Sequence, residues 1–158
     1  MKHTGDGSGE SDAGLRLRMR SEERRISSQH ERLDALCQDV YTRIDEAGPT
    51  RARADFEIFV TALDAHMTVE EDIYFPAIHG LRAETGEELS HLVEAHGALR
   101  RAVEEIARRL EEGDREGARS ELDQLALAVS QHEREEEDLL ARITRGSLNA
   151  LGPSSPSS

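Results

Sequence analysis

The pattern His-x-x-x-Glu occurs twice in this chain, at His66 and Glu70 within HMTVEEDIYFP and at His132 and Glu136 within HEREEEDLL. Four residues is close to one helical turn, so on a helix each His and Glu project from the same face, with Cβ atoms about 5–6 Å apart. Two further histidines, His30 and His96, interrupt runs of apolar residues at helical spacing. Neutral imidazole and carboxylate are good ligands for iron and manganese. A carboxylate has two oxygens and can bridge two ions held about 3.5–4 Å apart. The six side chains therefore suit two metal ions sharing two carboxylates. Glu70 and Glu136 would be the bridges, and His30, His66, His96 and His132 the terminal ligands, split between the ions. Water or an oxo group would fill the remaining positions.

Four helical stretches, separated by breakers, must position these residues. The first is predicted from about residue 21 to 47, with the stripe Ile26, His30, Leu33, Cys37, Val40, Tyr41, Ile44 and a stop at Gly48-Pro49. The second is predicted to start at Thr50 as N-cap and to carry Phe56, Phe59, Val60, Leu63, His66 or Met67, Glu70, Ile73 and Tyr74, ending at Pro76. The third opens on Thr85-Gly86-Glu87-Glu88, which reads as a capping box. Its stripe is Leu89, Leu92, Val93, His96, Leu99, Val103, Ile106 and Leu110, and Gly113 closes it. The fourth begins near Asp114 and shows Leu122, Leu125, Val129, His132, Glu136, Leu139, Leu140 and Ile143. No segment alternates like a strand. The expected fold is all-α: an antiparallel up-down-up-down four-helix bundle over 21–145, with flexible tails over 1–20 and 146–158.

Each stripe is apolar apart from its His or Glu. A charged group on a core-facing stripe costs several kcal/mol unless it is paired or metal-bound. Repetition of that cost on four helices points to a common purpose. Depth gives an independent argument. In an antiparallel hairpin, residues equidistant from the connecting loop lie at one level. His30 and His66 are nearly equidistant from Pro49, and His96 and His132 from Gly113. Glu70 and Glu136 lie one turn further on. A two-residue mismatch is only about 3 Å at about 1.5 Å per residue, so all six fall in one slab.

The remaining residues take plainer readings. Glu71, Glu133 and Glu135 flank the ligands off the stripe and read as solvated surface charges. His3 and His79 read as exposed, and His91 as a surface residue. Tyr41 and Tyr74 read as core residues with a hydroxyl partner. The basic run LRLRMR reads as a solvated lead-in to the first helix.

Composition narrows the function classes. The net charge of −13 lacks the basic footprint that nucleic-acid binding requires, and it disfavours anionic membrane surfaces. Cys37 is the single cysteine, which excludes an intramolecular disulfide and a Cys-based metal site. No stretch reads as a signal peptide or a membrane span, so a cytoplasmic location is expected. The oligomeric state is left open.

The set QHERL, His-x-x-x-Glu followed by EDIYFP, EAHGAL, and His-x-x-x-Glu followed by EDLL resembles the hemerythrin-like (HHE cation-binding) family over about residues 22–144. The resemblance implies a non-haem di-iron centre, two iron ions with an oxo or hydroxo bridge, that meets dioxygen, peroxide or nitric oxide. The residues that map are His30, His66, Glu70, His96, His132 and Glu136. One departure matters. Oxygen-carrying members have a further His one turn before the third-helix ligand, where this chain has Leu92; its second bridge also comes at i+4 instead of i+5. Loss of one imidazole leaves a more open iron and favours redox sensing, peroxide handling or iron handling over reversible carriage. The alternatives are a peroxide-decomposing or oxygen-reducing di-iron enzyme and a metal-free structural or interaction bundle. A ferritin-like carboxylate site fits less well, because such sites use Glu-x-x-His with Glu first.

Overall fold

A computed structural model describes residues 12–149. They form α1 (Asp12–Ala47), α2 (Arg53–Val69), α3 (Phe75–Leu81), α4 (Gly86–Glu111) and α5 (Arg115–Asn149), with no strand among the described residues. A π-turn over Glu70–Tyr74 joins α2 to α3 without a break, so the chain makes four helical columns. Column α1 packs against α2 and α5, and α4 packs against α5 and α2. No helix among the described residues is long and apolar enough to cross a membrane.

The connections follow from local chemistry. Among the described residues, Gly48 and Gly113 are the glycines with positive φ, at 90° and 74°. Beyond α4, Asp114 N–H donates to the Arg109 carbonyl and Gly113 N–H to that of Leu110, the two bonds of a Schellman stop. Asp114 then caps α5 by accepting the Gly117 N–H at 2.9 Å. The two caps expected from the sequence, at Thr50 and Thr85, do not form. Thr50 lies inside a 3-10 turn, Thr50–Ala52, that leads into α2. Thr85 closes a second one, Ala83–Thr85, where its hydroxyl donates to the Arg82 carbonyl at 2.6 Å and accepts no N–H from the first turn of α4.

Pro76 does not end the second column as the sequence suggests. The π-turn carries the chain through it to Leu81, with Phe75 N–H bonded to the Glu70 carbonyl. Proline lacks an N–H and its ring collides with the carbonyl four residues back; a wider turn before it removes the collision. The extra residue also shifts the stripe, and Ile73, expected inside, is 58% exposed. Val93 likewise lies at the surface.

The N-terminal segment is the other departure. Helix α1 starts at Asp12, so residues 12–20 continue the helix instead of forming a flexible lead-in. Leu, Arg and Met favour helix, and Met19 gains a packing partner on the apolar cluster near α3. Similarly, α5 runs past residue 146 to Asn149. The rest of the two expected tails, 1–11 and 150–158, lies outside the described residues, as does His3.

The interior is divided. One apolar cluster holds Leu33, Val40, Ile44, Phe59, Ile106 and Leu122 among others. A second holds Phe75, Ile78, Leu89, Leu92, Leu139 and Ile143. Buried polar side chains lie between the two along every column: Ile26, His30, Leu33 on α1; Met67, Glu70, Phe75 on the second column; Leu92, His96, Leu99 on α4; Val129, His132, Glu136, Leu139 on α5.

Candidate metal centre

All six residues singled out by the sequence are buried: His30, His66, Glu70, His96, His132 and Glu136. Each of the four columns contributes. Ligand atoms of His30, His66, Glu70 and Glu136 lie within 4.8 Å of one another, and so do those of Glu70, His96, His132 and Glu136. The two groups share both carboxylates and divide the histidines two and two. Glu70 contacts His66 Nε2 through Oε1, and His96 Nε2 through Oε2 at 3.0 Å. Glu136 mirrors it, contacting His132 Nε2 through Oε1, with His30 Nε2 at 3.8 Å and His66 Nε2 at 3.9 Å from Oε2. His96 Nε2 and His132 Nε2 face one another at 2.8 Å. Of the flanking histidines, His91 is exposed, 3.5 Å from Glu135, and His79 sits exposed on α3.

Three of the four imidazoles are fixed from behind. His30 Nδ1 donates to Glu137 at 3.1 Å, His66 Nδ1 to the Gln29 side-chain oxygen at 2.6 Å, and His96 Nδ1 to Glu71 at 2.9 Å. An acceptor at Nδ1 places the proton there and leaves the Nε2 lone pair facing the interior. Glu71 is held in turn by two bonds from Arg100, at 3.0 and 3.2 Å, and Arg100 reaches Asp64 at the surface. Glu71 is therefore a partner of His96 and not a surface charge. Sequence reading missed Gln29 and Glu137 altogether. Each neighbours one of the six, but its target lies on another column, and spacing along the chain carries no trace of that.

The charges in the cluster act on one another at close range. Burial resists the charge on Glu70, yet the imidazoles of His132, His66 and His96 outweigh it and hold the carboxyl far below the usual carboxylate range. Burial likewise resists the imidazolium at His30 and His132. Glu136 and Glu137 overcome it at His30, Glu136 and Glu70 at His132, and both rise to about 9. Glu133, half-buried beside His132, is pushed up to about 7 by burial, against the pull of His30. The Arg100 bonds hold Glu71 below its ordinary value.

The donor set fits a cation. His30 Nε2, His66 Nε2, both Glu70 oxygens and Glu136 Oε1 are buried with no hydrogen-bond partner among the described residues. Several of them sit at ion-pair distance from one another without hydrogen-bond alignment. Buried groups in that state cost about 1–3 kcal/mol each. Metal ions placed between the nitrogens and carboxylates would satisfy all of them at once.

Neither curated proteins nor solved structures gave a match to this chain. A family model described as Hemerythrin HHE cation binding domain matches residues 22–143, which take in all six of these buried side chains and reach all four columns. The chain belongs to the hemerythrin HHE cation-binding family.

Proposed function

We propose that the chain is a non-haem di-iron protein that binds or responds to dioxygen or a related small molecule, peroxide or nitric oxide, in redox sensing or iron handling. The observation that carries this reading is the pair of four-residue groups sharing Glu70 and Glu136. In it, His30 and His66 with the two shared carboxylates would hold one ion, and His96 and His132 with the same carboxylates the other. Bound iron would supply reversible one-electron chemistry and open coordination positions. The chain's own part is to orient the imidazoles through Glu137, Gln29 and Glu71 and to keep bulk water away with the two apolar clusters. The reading also takes the four columns as alternating up and down. The pairs Asp45–Arg119, Tyr41–Asp123, His30–Glu137 and Glu23–Thr144 support this, because numbering rises along α1 as it falls along α5.

Reconstitution with ferrous iron in the absence of air, followed by metal analysis, tests the reading. Two iron atoms per chain are expected, and fewer in Glu70→Ala and Glu136→Ala. One atom or none in the unaltered protein would defeat it.

A second reading, a peroxide-decomposing or oxygen-reducing enzyme of the same architecture, draws on Leu92. Its side chain is 3% exposed and lines a small space beside Glu70 and Glu136, an apolar wall where carriers place an imidazole. Fewer protein ligands leave more positions for a reacting molecule. Oxygen evolution from peroxide by the iron-loaded protein, above that of free iron and lost in Glu70→Ala, would support this reading. A rate equal to free iron would remove it.

A further inference from the structure

The metal reading leaves one part of the interior unused. A hollow of about 200 Å³ lies between α1, α3 and α5, walled by Met19, Ile26, Ile78, Leu140 and Ile143, with Tyr74 among its lining. A second space of about 10 Å³ adjoins it and is bounded by Glu70 and Glu136. Ile26, Tyr74, Ile78 and Leu140 line both, so these four side chains form the ring that separates the hollow from the carboxylates. The inner space holds no more than about one water-sized particle, whereas the outer one exceeds the roughly 150 Å³ that accommodates benzene in an apolar protein cavity.

The polar groups around the outer hollow set what it can recognise. The Thr144 hydroxyl has acceptors at Glu23, 2.8 Å, and at the Leu140 carbonyl, 2.9 Å. The Tyr74 hydroxyl is pushed up first by burial and then by the neighbouring Glu22 carboxylate. Glu22 Oε1 lies 3.9 Å from the Arg25 guanidinium, whereas its Oε2 is buried with no hydrogen-bond partner among the described residues. A largely apolar hollow, with Arg18 also in its lining and one Glu22 oxygen without a hydrogen bond at its wall, suits a molecule with an apolar body and a single donor.

We propose that this hollow binds a small neutral aromatic molecule bearing one N–H or O–H donor, its ring among Ile26, Ile78, Leu140 and Ile143 and its donor on Glu22 Oε2, and that the occupant closes this approach to Glu70 and Glu136. The molecule is too large for the inner space, so it stops at the ring of four side chains and acts there as a plug. The binding half of the proposal is independent of the metal; the closing half rests on the di-iron reading.

Indole and indene are suitable probes, because they match in shape and differ in the N–H. Titration of the metal-free full chain, followed by NMR, should show saturable binding of both, with indole about tenfold tighter, the effect of one hydrogen bond to a charged acceptor. Glu22→Ala should remove the difference between the probes. Ala77→Trp, a substitution at an exposed position on the hollow's edge, should abolish binding of both while the helical circular dichroism is retained. Absence of saturable binding, or equal affinity for the two probes, would overturn the site. In ferrous-loaded protein, saturating indole should slow oxidation by dissolved oxygen at least tenfold; an unchanged rate would overturn the closing half. Failure to take up iron would sink the di-iron reading and leave the two-probe comparison standing.

Discussion

His132 differs from its three counterparts: its Nδ1 is buried with no hydrogen-bond partner among the described residues, whereas His30, His66 and His96 are each held from behind. The best-anchored imidazole is His96, through Glu71 and Arg100. Acceptors behind a ligating histidine fix its orientation and raise its basicity, and their loss typically costs about 10–100-fold in metal affinity. Glu71→Ala is therefore expected to weaken iron binding by about that factor with little change in helix content, as read by competition with a coloured chelator. Protonation makes a second prediction at this scale. In the metal-free protein His30 and His132 sit at about 9, above the ordinary 6.5. The folded state then binds those protons more tightly than the unfolded chain, so the stabilisation is complete below pH 6.5 and is lost as pH rises through 9. Glu70 works in the opposite sense, and its contribution is lost only in strong acid. Urea midpoints of the metal-free protein should accordingly be lower at pH 9 than at pH 6. Over the same interval metal affinity should rise, because each ion displaces those protons.

Among the elements, the π-turn over Glu70–Tyr74 has the largest consequences. It carries the second column past Pro76 and leaves Ile73 outside. It also brings Phe75 to stack on His96, at 5.6 Å between ring centroids. The stops at Gly48 and Gly113 act by conformation alone. A Cβ at Gly113 would meet Thr50 Oγ1 no closer than 3.8 Å, and one at Gly48 would meet nothing within 4 Å. Gly113→Ala should therefore cost about 1–2 kcal/mol through its left-handed backbone and not through a clash. Equilibrium denaturation measures this, and a neutral result would show that the loop relaxes to another turn.

At the scale of the whole molecule, the polar layer divides the core into two apolar clusters. Four imidazoles and two carboxylates replace apolar packing at mid-height, and metal binding must compensate. Because the cation binds the folded chain and finds no comparable site in the unfolded one, it stabilises by mass action. Chelation should lower the thermal midpoint clearly, and restored iron should recover it. A midpoint indifferent to chelation would favour a metal-free bundle.

Much of this was written in the chain itself. The four columns were visible because apolar residues recur at helical spacing, and the six buried His and Glu side chains because each interrupts such a stripe near the same distance from a loop. Glycine stops at Gly48 and Gly113 and the Asp114 cap are equally local. Other features depended on contacts across columns. Thr85 looks like a cap until its hydroxyl finds the Arg82 carbonyl. Pro76 looks like an end until a wider turn accommodates it. Residues 12–20 look like a lead-in until Met19 meets an apolar neighbour. Gln29, Glu71 and Glu137 look like surface polar residues until a histidine on another column meets them. Periodicity along a helix reports which face is buried. Which groups meet across the interior depends on how the columns rotate against one another, and only the packed tertiary structure decides that.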